Sequence, residues 1–278
     1  MIAAVVQICA RQDIDDNLAR CAELVTRAAA RGAKLIVLPE NFAYIGSLKT
    51  KLQCAETVDQ ASSGPILGLM RALAKRLGCT LILGGLPERS PDPARFYNTA
   101  VVVDDKGTIE SSYRKMHLFD IAIPGGAEYR ESAYVVAGPA EPHLTKVYDI
   151  PLGVSTCYDL RFPELYRRQR INGAEILALG AAFTMHTGRD HWIPLLRARA
   201  IENQAFVLAA GQWGRHNASR ESYGRSCIID GWGTLLACCA DQDDIAVAEL
   251  DLGTLRRQRE QLPCIGHRRL SSGPDDDR

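Results

Sequence analysis

The sequence lacks the features that tie a protein to a charged partner, a metal or a membrane. Its 278 residues carry 33 basic and 33 acidic side chains, a formal net charge of zero, which argues against nucleic acid or an anionic membrane as partner. No C-x-x-C, H-x-x-x-H or H-E-x-x-H pattern occurs, so no metal site is expected. No apolar run is long enough to span a membrane, and residues 1–6 lack the positive start of a signal peptide.

The nine cysteines do not indicate a disulfide framework. Their number is odd and the chain is long for a disulfide-stapled scaffold. Most lie in apolar runs, where a free cysteine behaves as a small core residue. A reducing cytoplasm is therefore the expected location.

Strand-like and helix-like segments alternate along the first hundred residues, which predicts a layered α/β fold. No linker interrupts the pattern, so residues 1–270 are expected to form a single domain, followed by a disordered tail at 271–278 that has no apolar anchor. Asp15, Asp16 and Asn17 are candidate caps of the first helix. The Gly- and Pro-rich stretch 121–142 predicts a long loop of the kind that is usually functional. Later segments predict a helix at 192–204 and four strands that complete a second sheet, at 205–210, 225–230, 233–238 and 245–250.

Three apolar strands end abruptly in a chemically active side chain. Glu40 follows the strand at 35–38, Lys115 follows the strand at 108–113, and Cys157 follows the strand at 153–156. We expect the three to converge at one edge of a sheet, where they would supply a general base, a cation and a nucleophile. Pro163 can start a helix just beyond Cys157, and nearby backbone N–H groups would favour the thiolate. A structural role for a lone buried cysteine is the ordinary alternative.

Several further motifs occur together with these three residues. In chain order the motif segments are 38–42 (Leu-Pro-Glu-Asn-Phe), 113–115 (Tyr-Arg-Lys), 117–120 (His-Leu-Phe-Asp), 157–164 (Cys-Tyr-Asp-Leu-Arg-Phe-Pro-Glu), 182–184 (Ala-Phe-Thr), 187–188 (Thr-Gly), 191–192 (His-Trp), 197–202 (Arg-Ala-Arg-Ala-Ile-Glu), 222–224 (Ser-Tyr-Gly) and 232–234 (Trp-Gly-Thr). This set resembles the nitrilase superfamily of carbon–nitrogen hydrolases, and within it the Nit amidase branch, over nearly the whole chain.

The resemblance implies a fold and a catalytic set. The implied fold is an αββα sandwich of two mixed β-sheets with helices on both outer faces. The implied catalytic residues are Glu40 as general base, Lys115 as the cation that stabilises the oxyanion, and Cys157 as nucleophile. The family also has a second active-site Glu in the loop after the Lys. Glu131 fits that pattern better than Glu128, which remains the alternative.

The resemblance also implies a mechanism without a metal or an organic cofactor. Glu40 takes the thiol proton as Cys157 attacks an amide carbonyl, and Lys115 with the backbone N–H of Tyr158 holds the oxyanion. Water then hydrolyses the thioester. Tyr158, Arg161, Phe183 and Thr184 are the expected substrate-binding residues, with Arg161 pairing with a substrate carboxylate. The alternative for Arg161 is a structural role at the start of the next helix, in which case Arg215 or Arg225 would bind that carboxylate.

Two activities compete within the branch. The residues around Arg161 and those at 211–226 favour hydrolysis of deaminated glutathione to 2-oxoglutarate and Cys-Gly. The alternatives are ω-amidase activity on 2-oxoglutaramate and hydrolysis of an N-carbamoyl compound. A non-catalytic scaffold with the same fold is the alternative from a different class. The resemblance further implies a homodimer or higher homo-oligomer in which the helix after Cys157 and the helix at 192–204 pack against a second copy.

Overall fold

The computed structural model describes residues 1–61, 64–122 and 128–270, without the side chain of Glu128. The tail at 271–278, expected to be disordered, lies outside the described residues. The described strands are β1 (Ile2–Gln7), β2 (Leu35–Leu38), β3 (Thr80–Arg89), β4 (Phe96–Val103), β5 (Ile109–Arg114), β6 (Asp120–Ala122), β7 (Glu128–Arg130), β8 (His143–Val147), β9 (Ile150–Thr156), β10 (Ile176–Ala181), β11 (Phe206–Gly211), β12 (Trp213–Arg215), β13 (Glu221–Tyr223), β14 (Cys227–Ile229), β15 (Leu235–Cys238) and β16 (Asp244–Glu249). The helices are α1 (Ile14–Ala30), α2 (Leu48–Gln53), α3 (Pro65–Leu77), α4 (Pro163–Ile171), α5 (Met185–Asn203) and α6 (Leu252–Gln261). None of these helices is long and apolar enough to cross a membrane.

Two six-stranded mixed sheets form the centre of the molecule. The first has the order β16-β1-β2-β3-β4-β5 and the second β15-β14-β11-β10-β9-β8. In each sheet three neighbouring strands are parallel, β1-β2-β3 and β9-β10-β11, and antiparallel strands flank them. The parallel strands are continuous apolar runs buried on both faces, as expected for strands covered by other layers.

Three apolar clusters show that the layers are stacked helix, sheet, sheet, helix. The middle cluster joins the facing sides of the two sheets, with Val5 and Val37 from the first and Val154 and Ala178 from the second. Helices α1 and α3 pack on the outer face of the first sheet. Helices α4 and α5 pack on the outer face of the second sheet. The expected αββα sandwich is confirmed.

The last strand belongs to the other sheet from the one expected. The segment at 245–250 was expected to complete the second sheet, but β16 pairs antiparallel with β1 of the first, from Ile2↔Glu249 to Gln7↔Asp244. The free edge of β1 offers a partner of the same length. This expectation was wrong. The residue pattern of a strand does not indicate which sheet edge it pairs with.

Three local expectations also need correction. The cap of α1 is Asp13, whose side chain accepts from Asp16 N–H, whereas Asn17 is buried in the first turn. Helix α5 begins at Met185 because Thr184 caps it, and Pro194 is tolerated inside it. The expected loop at 121–142 contains a short hairpin, β6 with β7, followed by a 3-10 turn at Glu131–Ala133.

Candidate active site

The candidate site lies where the ends of both sheets meet. Glu40 follows β2 and Lys115 follows β5 in the first sheet, whereas Cys157 follows β9 in the second. The expectation of one sheet edge was therefore wrong in that detail, although the three side chains do converge. A Cβ on Gly84 would lie 2.6 Å from the Cα of Gly180. Only glycines permit this close approach of β3 and β10 beside the site.

Both carboxylate oxygens of Glu40 are held by donors from three elements. Oε1 accepts from Asn98 Nδ2 at 2.7 Å and from Lys115 Nζ at 3.1 Å. Oε2 accepts from the backbone N–H of Ala182 at 3.0 Å, just beyond β10 of the second sheet. The Glu40 side chain is almost wholly buried. A carboxylate fixed in this way is preorganised in one orientation.

Lys115 lies between two carboxylates. Its Nζ donates to Glu131 Oε2 at 2.8 Å as well as to Glu40, and Glu131 Oε2 also accepts from Phe119 N–H at 2.7 Å. Burial would lower the pKa of Lys115, but Glu131 and Glu40 outweigh it and raise that pKa well above 10.5. The structure thus places Glu131, the preferred second Glu, against Lys115. The side chain of Glu128 lies outside the described residues.

Cys157 rests as a thiol beside an ionised Glu40. Burial first, and then the Glu40 charge, raise the pKa of the thiol well above 9. Burial would also raise the pKa of Glu40, but Lys115, Arg220 and hydrogen bonds from Cys157 and Asn98 lower it to about 2. The backbone N–H of Ala182 does favour the thiolate, but desolvation outweighs it in the free site. The thiol can lose its proton to Glu40 only as new charge forms on a substrate.

The backbone at the nucleophile is held in an uncommon conformation. Cys157 has a φ of +51°, a value that is costly for a residue with a Cβ and is typical of functional turns. Asp159, which is fully buried, accepts from Thr156 N–H at 2.8 Å and from the Tyr113 hydroxyl at 2.7 Å. Arg199 donates to the carbonyl oxygen of Leu160 through Nε and Nη2. These bonds hold the turn that presents Cys157.

His117 has a positioning role. Its Nδ1 lies 2.7 Å from Asp159 Oδ1, and its ring stacks on Phe162 with centroids 3.7 Å apart. An edge of the His117 ring contacts Asp159 and a face of the ring contacts Phe162, so the ring is fixed in place. The proton acceptor beside the Cys157 thiol is the Glu40 carboxylate rather than this ring.

One pocket, of about 680 Å³ including its open mouth, contains the cluster. It is lined by Glu40, Asn41, Lys51, Phe96, Asn98, Lys115, Phe119, Tyr129, Glu131, Tyr134, Val135, Cys157, Tyr158, Arg161, Ala182, Phe183, Thr184, Thr187 and Arg220. All four expected substrate-binding residues are in this set. The Arg161 guanidinium lies 5.1 Å from the centroid of the Phe183 ring, and its Nη1 lies 3.2 Å from His191 Nδ1. Thr184 also caps α5 by accepting from Thr187 N–H.

The two alternatives to Arg161 are placed elsewhere. Arg215 pairs with Glu221 at 3.6 Å and Arg225 with Asp241 at 3.0 Å, and neither is among the described residues that line the pocket. Three pocket residues were not predicted from the sequence, namely Lys51, Asn98 and Arg220. Lys51 lies in the short helix α2 and Arg220 in a loop, so no periodicity or motif distinguished them from surface residues.

This arrangement is suited to acyl transfer through a thioester. It joins a buried thiol to a carboxylate acceptor and places an ammonium beside both, in a pocket open to a small molecule. Among the described residues, no group of three or more His, Cys, Asp or Glu side chains is arranged to hold a metal ion. The fold and the cluster together are those expected of a hydrolase that uses a cysteine and a carboxylate.

Comparison with known proteins places the chain in a family. The chain belongs to the carbon–nitrogen hydrolases, whose family pattern matches residues 2–260, and it is an amidase. It is 39% identical over 269 residues to the deaminated glutathione amidase of Synechocystis, covering 96% of this chain and 97% of that protein. It is 42% identical over 272 residues to the deaminated glutathione amidase of Rattus norvegicus, covering 96% of this chain and 82% of that one. The crystal structure of the Caenorhabditis elegans NitFhit protein superposes with a TM-score of 0.89 at 38% identity, covering 96% of this chain and 65% of that chain.

Proposed function

We propose that this amidase hydrolyses deaminated glutathione to 2-oxoglutarate and Cys-Gly through a thioester on Cys157. The observation that carries the proposal is the contact of the Cys157 thiol with the Glu40 carboxylate at the base of a pocket lined by cations. The names of relatives at about 40% identity over nearly the whole chain support the choice of substrate.

Acylation begins with proton transfer to Glu40. The Cys157 sulfur attacks the amide carbonyl as its proton passes to Glu40, and the electron pair of the carbonyl bond moves to oxygen. At rest the three N–H donors of the Lys115 ammonium are directed at Glu40 Oε1 and at both carboxylate oxygens of Glu131. When Glu40 takes the proton, the donor that it held turns to the oxyanion. The backbone N–H of Tyr158 supplies a second donor. Each such donor can be worth about 3–4 kcal/mol in a site closed to water.

Charge balance favours this transfer only when substrate is present. Burial keeps the thiol protonated at rest, and the net charge of −1 on Glu40, Glu131 and Lys115 adds to that effect. When Glu40 takes the proton, that cluster becomes neutral, and the new negative charge sits on the substrate oxygen beside Lys115. Proton transfer and attack are thereby coupled.

The second half of the cycle restores the enzyme. The amine leaves with the proton held by Glu40, and the acyl group remains on Cys157 as a thioester. Glu40 then takes a proton from water as the water oxygen attacks the thioester carbonyl. The carboxylic acid leaves, and the sulfur recovers its proton. Glu131 serves as the second carboxylate, which keeps Lys115 charged and oriented.

Arg161 is the proposed partner of a substrate carboxylate, with Tyr158, Phe183 and Thr184 as neighbouring pocket residues. Its guanidinium packs over Phe183 at the pocket wall and can present a planar fork to a carboxylate. We further propose that residues 1–270 form one domain, that the chain forms a homodimer, and that it works in a reducing cytoplasm. All nine cysteines are free in the structure, which supports the last point.

A side-by-side assay tests the proposed substrate. Purified protein is given deaminated glutathione, 2-oxoglutaramate and an N-carbamoyl amino acid, and kcat/KM is measured for each. We expect the highest value for deaminated glutathione and none above background for Cys157→Ala. A higher value for 2-oxoglutaramate would identify an ω-amidase instead. Inactivity on all three, with unmodified Cys157 after treatment with an electrophilic amide mimic, would favour the scaffold role.

A further inference from the structure

Lys51 is a buried cation of the pocket, and its Nζ donates a hydrogen bond to a neutral side chain. Its Nζ donates to the Asn41 side-chain oxygen at 2.6 Å and lies 5.8 Å from the centroid of the Phe96 ring. The residue is 9% exposed. No carboxylate of the described residues lies within ion-pair distance of its Nζ. A buried ammonium without a counter-charge is costly.

Arg220 is a second cation of the same pocket and is half-buried. Its backbone is fixed in the loop between β12 and β13, since its N–H donates to Asn217 Oδ1 at 2.9 Å and its carbonyl accepts from His216 N–H at 3.0 Å. Its guanidinium makes no hydrogen bond or ion pair with any described residue. A guanidinium held at a pocket wall with all five donors available is suited to a planar anion.

The carboxylates of the pocket are already used. Glu40 and Glu131 both accept from Lys115, whereas Lys51 and Arg220 face each other as like charges. Burial and then the Arg220 charge lower the pKa of Lys51 to about 8, against the opposing pull of Glu40 and Glu131. An anion bound between Lys51 and Arg220 would relieve this repulsion.

We propose that Lys51 and Arg220 form an anion subsite that binds a carboxylate of the substrate, separate from the one at Arg161. Arg161 contacts Phe183 and His191, whereas Lys51 contacts Asn41 and Phe96. The inference rests on the proposed function, because deaminated glutathione carries two carboxylates, one on the 2-oxo acid end and one on the glycine of the leaving dipeptide. A pocket with cations in two places fits such a dianion. Either carboxylate has the chemistry that the subsite requires.

Two variants and two matched controls test the subsite. Lys51→Met and Arg220→Gln remove the charges while keeping most of the side-chain volume. Lys49→Met changes an exposed lysine of the same short helix α2, and Arg215→Gln changes an exposed arginine of β12. We expect kcat/KM for deaminated glutathione to fall about 10- to 100-fold in each test variant, as for loss of a charge-assisted hydrogen bond. The controls should stay within about twofold of the parent, as surface changes usually do.

The choice of substrate identifies which carboxylate is bound. If the loss disappears on the C-terminal amide of deaminated glutathione, the subsite takes the glycine carboxylate. If the loss persists on that amide and on 2-oxoglutaramate, it takes the 2-oxo acid end. Butyramide has no carboxylate, so both variants should lose much less activity on it than on deaminated glutathione, although the Arg220 charge also lowers the pKa of Glu40. Equal losses on butyramide and deaminated glutathione would overturn the subsite while leaving the amidase intact.

A binding measurement separates the subsite from turnover. Deaminated glutathione is titrated calorimetrically into Cys157→Ala, alone and combined with Lys51→Met or Arg220→Gln. We expect the combined variants to bind it at least tenfold more weakly, with melting temperatures that show they are folded. Unchanged affinity in both would overturn the inference. If the parent enzyme prefers 2-oxoglutaramate, the proposed substrate is wrong, yet the subsite stands if both variants lose much more of that activity than of the activity on butyramide.

Discussion

Glu40 accepts a hydrogen bond from the backbone N–H of Ala182, 142 residues further along the chain. Glu40 follows a strand of the first sheet and Ala182 follows a strand of the second. This bond spans the junction between the two sheets, so the orientation of the Glu40 carboxylate depends on how the sheets are stacked. The proposed base and nucleophile are therefore aligned by the packing of the whole sandwich rather than by one local motif.

Replacement of Cys157 tests the nucleophile. Cys157→Ala should abolish turnover and Cys157→Ser should nearly do so, with little change in melting temperature, because the side chain is small and the turn is held by Asp159. The exposed Cys238 offers a control, and Cys238→Ala should keep full activity. A tenfold loss of activity corresponds to an increase of only about 1.4 kcal/mol in the activation free energy. If Cys157→Ala kept more than about a tenth of the activity, Cys157 would not be the nucleophile.

Glu131 and Glu128 can be separated by parallel substitution. Glu131→Gln keeps the shape but removes the charge that binds Lys115 at 2.8 Å, so kcat should fall about 10- to 100-fold, in line with about 1.5–3 kcal/mol for a charged hydrogen bond. Glu128→Gln is the matched control and should change kcat by less than about threefold. The opposite ranking in a steady-state assay would make Glu128 the second active-site carboxylate.

The sequence predicted the strands of the site better than their arrangement. Each of β2, β5 and β9 is followed within two residues by a chemically active side chain, which indicates the end of the strand without knowledge of the fold. Which sheet a strand joins depends on edges that are distant in sequence, and β16 pairs with β1 across more than two hundred residues. The local pattern of Asp244–Glu249 is compatible with either sheet, so its place could not be predicted.

The cations of the pocket were also only partly predictable from the sequence. Arg161 was predictable because it stands four residues beyond Cys157 within a motif. Lys51 and Arg220 reach the same pocket from a six-residue helix and a hairpin loop. Their burial and their shared pocket arise from tertiary packing. Nothing in the neighbouring residues distinguishes them from the exposed Lys49 and Arg215.

The pKa of Lys51 makes substrate binding depend on pH. Lys51 is protonated below about pH 8 and neutral above it, so an anion bound to it should bind more weakly as the pH rises through that value. Once binding takes up a proton, affinity falls by at most about tenfold per pH unit. Glu131, Arg220, Glu40 and Lys115 also face Lys51.

Two of those groups do not titrate in the range that matters. Glu40, with a pKa of about 2, stays ionised and Lys115, with a pKa well above 10.5, stays protonated between pH 6 and about 9.5. Calorimetric titration of Cys157→Ala with 2-oxoglutarate, if the subsite takes the 2-oxo acid carboxylate, should show a decline above about pH 8. Deaminated glutathione serves as ligand if the glycine end is bound. A decline of the same size in the combined Lys51→Met variant would show that another group is responsible.

Exposed apolar side chains on α5 and beside it support the proposed dimer. Ile201 is 48% exposed and Trp232 is 59% exposed, and Gly233 packs close to Ile201. A charge in an apolar interface is costly, so Ile201→Asp should convert a dimer to a monomer in light scattering. Leu69→Asp, at an exposed position of α3 on the opposite outer layer, should leave the dimer intact. A stable monomer of the parent protein at micromolar concentration would refute the dimer.

The role of Arg161 depends on charge, and charge can be tested on the substrate as well as on the protein. Arg161 packs over Phe183 and lies beside His191, so its fork is held at the pocket wall by contacts that a lysine cannot reproduce. Arg161→Lys should lower kcat/KM for deaminated glutathione by one to two orders of magnitude, or about 1.5–3 kcal/mol. The loss should shrink on butyramide, because no carboxylate is then left unpaired.

The same pair of substrates distinguishes binding from structural support. If Arg161 only braces Phe183 and the start of α5, Arg161→Lys will slow both substrates equally and lower the melting temperature. In that case only Lys51 and Arg220 would bind the substrate carboxylates. Arg220→Gln would then lower kcat/KM for deaminated glutathione more than Arg161→Lys does. Alternatively, Arg161 binds one carboxylate and the Lys51–Arg220 subsite binds the other. The variant that combines Arg161→Lys with Arg220→Gln should then lose kcat/KM for deaminated glutathione by about the product of the two single fold-losses, because the effects of independent sites add in free energy.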